Sequence, residues 1–463
     1  MLELKTKQQL SREAQLLAKG LDLVRYRNVT YIPADFETRE TADPPSEDRV
    51  IWLPLSRDDI SILAMETYST MFANEHELSA FEFMLAQSCK RVSHVVPELL
   101  VRTKEGLRML NEDGELVTPH GSFVPNTLHP MLNTTDEDKA RVRAVIDEWL
   151  DSAEEAESLL HHLATSLAPG YSAVKYVLLL GDGRNGKSTL LKMLQKLFGR
   201  DNVSHVTRQN ISEQSPLVTA LNGKLLNIVF DGRAEYLKDS GTEKSLIAGE
   251  PAPIRRLYES TPTMVETNAL FIEGLQKEPK SNDKSTALQK RLVRFHFPNI
   301  YPLNLKFEAE MLAEDSLGAF LSLLIDHYVK ADEVAIKLQP TTRAIELQLE
   351  HMYVNSIGLQ FIKHLEDTEP TGALSILGQP MSDIVQSFQS WRILDNDLGS
   401  WSPPDVESQL NPLINTERKS VRTPAGPRKL RTITSFKMEA LAFIESLKGG
   451  DDDATQLASV VDD

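Results

Sequence analysis

Hydrophobic positions change period several times along this chain, and each change marks an element. The run Tyr176-Val177-Leu178-Leu179-Leu180 is continuously apolar over a strand's length and stops at a glycine, as a strand buried on both faces does. Behind it Leu190, Leu191, Leu194, Leu197 and Phe198 recur at helical spacing, and Gly199 stands where a C-terminal cap belongs. Further apolar runs at 225–230, 269–272 and 292–296 predict strands separated by helical patterns. The region from 176 to about 330 therefore predicts a mostly parallel sheet covered on both faces, with a strongly apolar helix from Leu317 to Tyr328 closing it. Upstream, Thr135-Asp136-Glu137-Asp138 is a helix-start signal, and Val142, Val145, Ile146, Trp149 and Leu150 then mark one apolar face. A second helix through Leu159, Leu160, Leu163 and Leu167 ends at Pro169-Gly170.

The flanks read differently. Val29-Thr30-Tyr31-Ile32 ending at Pro33 predicts a strand, 58–90 is largely helical, and Thr41 to Asp48 is a Pro- and Glu-containing loop. After Gln339-Pro340 a separate helical unit begins, and 379–445 predicts helix, helix, a basic strand-turn-strand, and a last helix around Ala440 to Leu447. That order suggests a winged-helix-like module. The expected division is 1–130, an N-terminal α+β accessory or self-association domain; 131–170, a helical collar; 171–338, an α/β core; 339–448, a helical, winged-helix-like domain; and 449–463, a disordered acidic tail.

Composition narrows this picture. A chain of 463 residues exceeds one ordinary core, and 41% hydrophobic with 25% charged residues is the balance of a soluble globular protein. No apolar run approaches the roughly 18 residues that span a bilayer, and Met-Leu-Glu-Leu-Lys-Thr-Lys lacks the apolar core of a secretory signal, so a cytoplasmic protein is expected. The single cysteine, Cys89, excludes an internal disulfide and any multi-cysteine metal site. The histidines show no ligand spacing; His161-His162 lie within a helical pattern. A net charge of −17 argues against a surface coated with nucleic acid, while leaving room for a local basic channel. The stretch 449–463 carries Asp451, Asp452, Asp453, Asp462 and Asp463 with no basic residue, which reads as a solvated tail or as a docking segment for replication proteins.

The candidate chemistry sits between the strand and the helix at 176–198, in Gly181-Asp182-Gly183-Arg184-Asn185-Gly186-Lys187-Ser188-Thr189. The glycines at 181, 183 and 186 let backbone N–H groups turn toward an anion, and the following helix adds the positive end of its dipole. Lys187 reaches the β- and γ-phosphates of a nucleoside triphosphate, and the Ser188 hydroxyl is placed to coordinate Mg2+. A structural turn would need neither residue there. Gly181, Gly183, Arg184, Asn185, Gly186, Lys187, Ser188 and Thr189 are the expected ATP-binding set. The apolar strand Leu225 to Phe230 then ends in Asp231, 44 residues after Lys187. A carboxylate at such a strand end holds the Mg2+ shell and polarises attacking water; the bland alternative is an Asp-Gly turn. The segment from Lys244 to Tyr258 is a stiff loop with Arg255 and Arg256 at its tip, able to track a phosphate backbone while Tyr258 packs against sugar or base; taken alone, it is more often a surface hairpin.

Taken together, residues 137–330 resemble the ATPase portion of superfamily 3 helicases, most closely the poxvirus and phage primase-helicase branch. The resemblance is carried by the pre-loop helices, Gly183 to Thr189, Gly223-Lys224-Leu225-Leu226-Asn227-Ile228 leading to Asp231, Ala248-Gly249-Glu250-Pro251 through Arg255-Arg256-Leu257-Tyr258, and Lys290-Arg291-Leu292-Val293. It implies a P-loop NTPase core of AAA+ type, assembled as a homo-oligomeric and usually hexameric ring that draws single-stranded DNA through its centre. It places Arg255 and Arg256 near DNA and makes Arg291 a finger toward a neighbour's γ-phosphate, although an ordinary salt bridge beside a strand is the other reading of Arg291. The family ends the next strand with an Asn that senses the γ-phosphate. Here Gly274 stands near that place, so the register differs, Glu273 or Gln276 substitutes, or hydrolysis is weakened; Asn268 sits at the strand's start.

Between Glu417 and Thr434 lie Arg418, Lys419, Arg422, Arg428, Lys429 and Arg431 against one acid, around the turn Pro424-Ala425-Gly426-Pro427. This reads as a wing touching duplex or forked DNA through Arg428, Lys429 and Arg431, or as a basic hairpin paired with an acidic surface of the same ring. No carboxylate cluster or zinc-ligand set for primer synthesis is evident in 1–130. The expected function is an ATP-dependent DNA helicase in phage or mobile-element replication, in a host cytoplasm if viral. The alternative is an ATP-switched replication initiator without processive unwinding. A small-molecule kinase is disfavoured by length, the arginine hairpin and the basic wing.

Overall fold

The computed structural model describes residues 6–27, 29–35, 50–68, 72–93, 96–119, 123–232, 240–255, 262–278, 286–394, 401–423 and 426–448. The expected loop at 41–48 and the acidic tail at 449–463 lie outside them. The chain divides into two compact units, Met1–Gln339 and Pro340–Asp463.

The first unit is organised around a parallel sheet. Its strands are β1 (Tyr176–Leu180), β2 (Val203–Ser204), β3 (Leu226–Val229), β4 (Leu270–Leu275) and β5 (Leu292–His296), in the order β2-β3-β4-β1-β5. Every neighbouring pair is parallel. Parallel strands need helical crossovers, which cover both faces, and this is why β1 reads as an unbroken apolar run and β4 as one up to Ile272. On one face Val177, Leu179, Ile228 and Ile272 pack against helix α1 (Lys187–Phe198) and against Phe320 and Leu324 of the helix Glu314–Asp326. On the other, Tyr176, Leu178, Phe271 and Leu275 pack on Val206, Ile211 and Leu246. Helix α1 buries Leu190, Leu191, Leu194, Leu197 and Phe198 completely, at roughly 2 kcal/mol per side chain before conformational entropy is counted. Gly199, at φ +72°, closes it.

The helices Asp136–Trp149 and Ala153–Ala164 share this core, and so do Leu99, Val101, Leu110 and Leu128 from the four-stranded sheet that precedes them. No packing break therefore occurs at residue 131. The first hundred residues add a helix Lys7–Gly20, opened by a Thr6/Gln9 capping box, two further helices at Arg57–Tyr68 and Glu75–Ser88, and a second four-stranded sheet containing Val29–Asp35.

The second unit contains helices Thr342–Asn355, Ile357–Thr368, Met381–Leu394 and Pro403–Leu410, a long antiparallel hairpin of Ile414–Thr423 with Gly426–Phe436, and a last helix Met438–Lys448. A bridge from Pro380 to Thr432 adds a stub of a third strand. Its core gathers Leu359, Phe361, Phe388, Val406, Leu410, Ile433, Phe436 and Phe443. No helix among the described residues is long and apolar enough to cross a membrane.

Candidate functional site

The carboxyl ends of β1, β3 and β4 open into a cleft of about 720 Å³. In an open α/β sheet this is where ligands bind, because loops diverge there. The loop after β1 forms the floor. Gly181, Gly183 and Gly186 have φ of +152°, +102° and +96°, and Arg184 joins them at +54°. These left-handed turns curl the backbone around the start of α1, whose N-cap residue, Gly186, supplies no side-chain cap. The first-turn N–H groups of α1 therefore lack the side-chain acceptor that most helix starts provide.

Gly186 is fixed by crowding as well as by conformation, since a Cβ there would lie 2.6 Å from the Trp149 ring. Trp149, at the end of the helix Asp136–Trp149, is the buffer on which the loop rests. Asn185 is buried and ties the loop at both ends: its Nδ2 donates to the Phe297 carbonyl at 3.2 Å and its Oδ1 accepts from Lys187 Nζ at 2.9 Å. Lys187 is 7% exposed and donates also to the Gly181 carbonyl at 2.6 Å. Burial lowers its pKa from the ordinary lysine value, while Asp182 and Asp231 push it back up. Ser188 is exposed, and both it and Asp231 line the same cleft. The loop residues from Gly183 to Thr189 do so too, whereas Gly181 lies beneath, its N–H bonded to the Leu275 carbonyl at 3.2 Å.

The walls come from segments that sequence reasoning did not assign to the site. Val145, Glu148 and Trp149 line it from the helix Asp136–Trp149, and Tyr301, Leu303, Asn304, Phe307 and Glu308 from the segment after β5. Tyr301 is a strap. Its N–H donates to the Arg184 carbonyl at 2.8 Å and its hydroxyl to the Glu148 carbonyl at 2.9 Å, joined there by Asn299 Nδ2 at 2.8 Å. Lys192 of α1 pairs with Glu308 at 2.6 Å. The only sequence signal for this strap was its polar and aromatic spacing after β5, which resembles any surface connection.

The end of β4 shows where each residue named in those alternatives lies. Strand alternation sends Gly274 and Gln276 toward the cleft and Glu273 to the opposite face. Glu273 is buried there, accepts a hydrogen bond from the Tyr176 hydroxyl at 3.2 Å, and burial raises its carboxyl to a pKa of about 7 against the opposing pull of Arg208. It does not face the cleft. Gly274 has no room for a side chain: a Cβ would meet the Phe230 carbonyl at 2.8 Å and Leu191 Cδ1 at 3.2 Å. Its carbonyl accepts from Gly232 N–H at 2.8 Å, which fixes the chain just after Asp231. Gln276 is exposed and lines the cleft beside Asp231. Asn268 lies at the other end of the strand and donates to the Pro169 carbonyl at 3.0 Å.

Arg291 is not in this cleft. Its carbonyl accepts from Tyr176 N–H at 2.7 Å, at the amino end of β1, so about five residues or roughly 16 Å of strand separate it from the loop of its own chain. Arg255 is exposed at the end of a short hairpin, Ala252–Ile254 with Thr263–Val265; Arg256 and Tyr258 lie outside the described residues. In the second unit Arg428 and Lys429 are exposed, but Arg431, expected beside them as a phosphate contact, is engaged within the unit. It bonds Glu407 at 2.8 Å, Asn411 Oδ1 at 2.6 Å and Thr416 at 2.7 Å. An arginine held by three partners braces the hairpin, so the Arg431 guanidinium is engaged inside its own unit where Arg428 and Lys429 are exposed.

The cleft fits a nucleoside triphosphate with a divalent cation. It offers an uncapped helix start, a buried ammonium, a hydroxyl and a carboxylate on one wall. Among the described residues no group of three or more His, Cys, Asp or Glu side chains is arranged to hold a metal alone. A cation here would take Ser188, Asp231, phosphate oxygens and water, the ligand mix that suits Mg2+.

Comparison with known proteins adds the following. The family described as "Family of unknown function (DUF5906)" matches residues 179–291, from the end of β1 to Arg291. No curated protein matches. The solved apo structure of the NrS-1 C-terminal region superposes with a TM-score of 0.50 at 15% identity, covering 92% of this chain and 99% of that one. A second apo structure of that region gives 0.46 at 14% identity, over 94% and 100%. The JCV helicase gives 0.29 at 16% identity, over 47% and 62%. The first of these likenesses establishes that the chain shares its fold with the NrS-1 C-terminal region across nearly its whole length.

Proposed function

We propose that this chain is an ATP-dependent DNA helicase of superfamily 3 type, a P-loop NTPase that translocates on single-stranded DNA as a homo-oligomeric ring. The observation that carries the reading is the meeting of Lys187, Ser188 and Asp231 on one cleft, at the ends of two parallel strands that flank β4. Lys187 would neutralise the β- and γ-phosphates, Ser188 and Asp231 would hold Mg2+, and Asp231 would orient the attacking water. The cation supplies charge neutralisation on the phosphoryl oxygens. Gln276, beside Asp231 on the cleft, is a polar side chain available at the β4 end to contact the terminal phosphate. The distance between Arg291 and its own loop supports action on a neighbouring subunit's nucleotide, and with it a ring. Arg255, with Arg256 and Tyr258, would face single-stranded DNA.

A second reading, an ATP-switched initiator without processive unwinding, is favoured by one feature: Gly274 leaves the β4 end without a side chain where the family carries an Asn. Unwinding of a forked duplex, followed alongside phosphate release, separates the two. Wild type should do both, and Lys187→Ala neither. Hydrolysis without unwinding selects the switch. Persistent turnover in Lys187→Ala refutes the assignment of the site.

A further inference from the structure

The second unit concentrates its uncommitted positive charge in one place. Most of its other cations are engaged: Arg343 with Glu346, Lys363 with Asp367, Lys437 with the Asn411 carbonyl, Arg431 with Glu407, and Arg392 against the rings of Trp391 and Trp401 at 5.0 and 5.8 Å. On the hairpin, by contrast, Arg418, Lys419, Arg428 and Lys429 are all exposed. Arg418, Arg428 and Lys429 have no acidic partner among the described residues, and Lys419 has only Glu417 at 3.9 Å.

Among the described residues, the ribbon's exposed positions lie beyond its base. Ile414, Ile433 and Phe436 enter the core, while residues 417–420 and 428–429 expose both faces. From Thr416 to the turn the strand runs seven residues, a projection of roughly 20 Å. A two-stranded ribbon without a packed face gains little stability from its own length. The register sends its charges both ways. Arg418 pairs with Arg431 and Lys429 with Ser420 on one face, whereas Lys419 pairs with Leu430 and Arg428 with Val421 on the other. An acidic helix or patch on a protein would meet one face. A DNA groove, about 12 Å wide in the major groove and walled by phosphates on both sides, meets both.

The helix just before the ribbon excludes the usual alternative. Pro403–Leu410 carries Asp405 and Glu407 and no basic residue, and it buries Val406 and Leu410. Lowered into a groove, it would set carboxylates against phosphates. We infer that this unit grips the sugar-phosphate backbone of duplex DNA through the hairpin Ile414–Phe436 alone, without regard to base sequence, and that the helix Pro403–Leu410 does not enter a groove. The inference rests on DNA as the partner proposed above, and it is independent of hydrolysis.

The test uses the full chain without nucleotide, and fluorescence anisotropy with two blunt duplexes of unrelated sequence between 50 and 200 mM salt. Wild type should bind both duplexes within twofold. The variant Arg418→Gln/Lys419→Gln/Arg428→Gln/Lys429→Gln should lose at least tenfold at 100 mM salt, and its log–log salt slope should fall by about 3 to 4, near 0.9 per phosphate contact removed. Arg418→Lys/Arg428→Lys should keep the binding, because phosphates respond to charge, and so should the helix variant Ser408→Ala. Unchanged affinity in the fourfold variant, or a tenfold preference between duplexes that Ser408→Ala abolishes, would overturn the inference. DNA-independent ATP turnover in the fourfold variant should equal wild type. Loss of turnover in the wild type itself would strike the proposed function and leave the hairpin result standing.

Discussion

Replacing Gly274 with alanine isolates the claim that the end of β4 is bare because the backbone of β3 lies against it. A Cβ built there stands 2.8 Å from the Phe230 carbonyl oxygen, where a carbon–oxygen contact is ordinarily about 3.3 Å or longer. The obstacle is backbone, so it cannot swing aside as a long side chain would; Leu191 Cδ1 at 3.2 Å closes the other direction. Opening the gap by about half an ångström is overpacking in a close-packed core, worth roughly 1–3 kcal/mol. At about 2–4 °C per kcal/mol for a domain of a few hundred residues, the melting temperature should fall by several degrees. The strain also reaches the site, because Gly232 N–H bonds the Gly274 carbonyl and Asp231 is the next residue. Scanning calorimetry and steady-state hydrolysis should therefore both register the change, with the Mg2+ requirement rising in Gly274→Ala and further in Gly274→Asn. A Gly274→Asn protein as stable as wild type with faster turnover would refute the steric argument, and would mean that a sensing side chain is simply missing.

Three further outcomes follow from the geometry. Arg291→Ala should retain nucleotide binding by equilibrium titration yet lose hydrolysis, and mixing it with Lys187→Ala should restore part of the turnover; no restoration at any ratio argues against action in trans. Arg208→Ala removes the partner of Glu243 from a pair buried on both sides, at 2.6 Å, and should cost about 3–5 kcal/mol in denaturant unfolding. Glu273 has a folded pKa near 7, above its unfolded value, so its contribution to stability is present in full below pH 4.5 and is lost as pH rises toward 7. Glu273→Gln, which can still accept from Tyr176, should flatten that part of the stability–pH curve and gain up to about 3 kcal/mol relative to wild type at pH 8; parallel curves would show that Glu273 is already ionised in the fold.

The parallel sheet was legible because its strands are buried on both faces and hydrophobicity alone marks them. Tyr176–Leu180 and Leu292–His296 fall where the apolar runs put them. Val203–Ser204 escaped notice: two residues carry no period, and the strand exists only because β3 offers an edge. The site was legible where chemistry and local geometry coincide, in the glycine-rich loop and at Asp231. It was illegible where a residue acts through distant packing. Trp149 looked like one more apolar position on a helix, and nothing local says that Gly186 lies on its ring. Tyr301 gave no sign that it ties two carbonyls together. Arg431 looked as free as Arg428, because the carboxylate that holds it sits 24 residues earlier on a different helix.

Lys187, finally, is not a waiting charge. Its ammonium is already answered by the Gly181 carbonyl and by Asn185 Oδ1, within the loop it serves. Hydrogen bonds from a charged donor are worth about 1.5–3 kcal/mol each, so drawing Lys187 onto a ligand forgoes roughly 3–6 kcal/mol, or two to four decades in affinity. A small monoanion cannot offset that, whereas a polyphosphate that also meets the uncapped start of α1 and a shared cation can. Under the proposed function the loop would act as a threshold, passing over simple anions and yielding to a ligand that engages several of its groups at once.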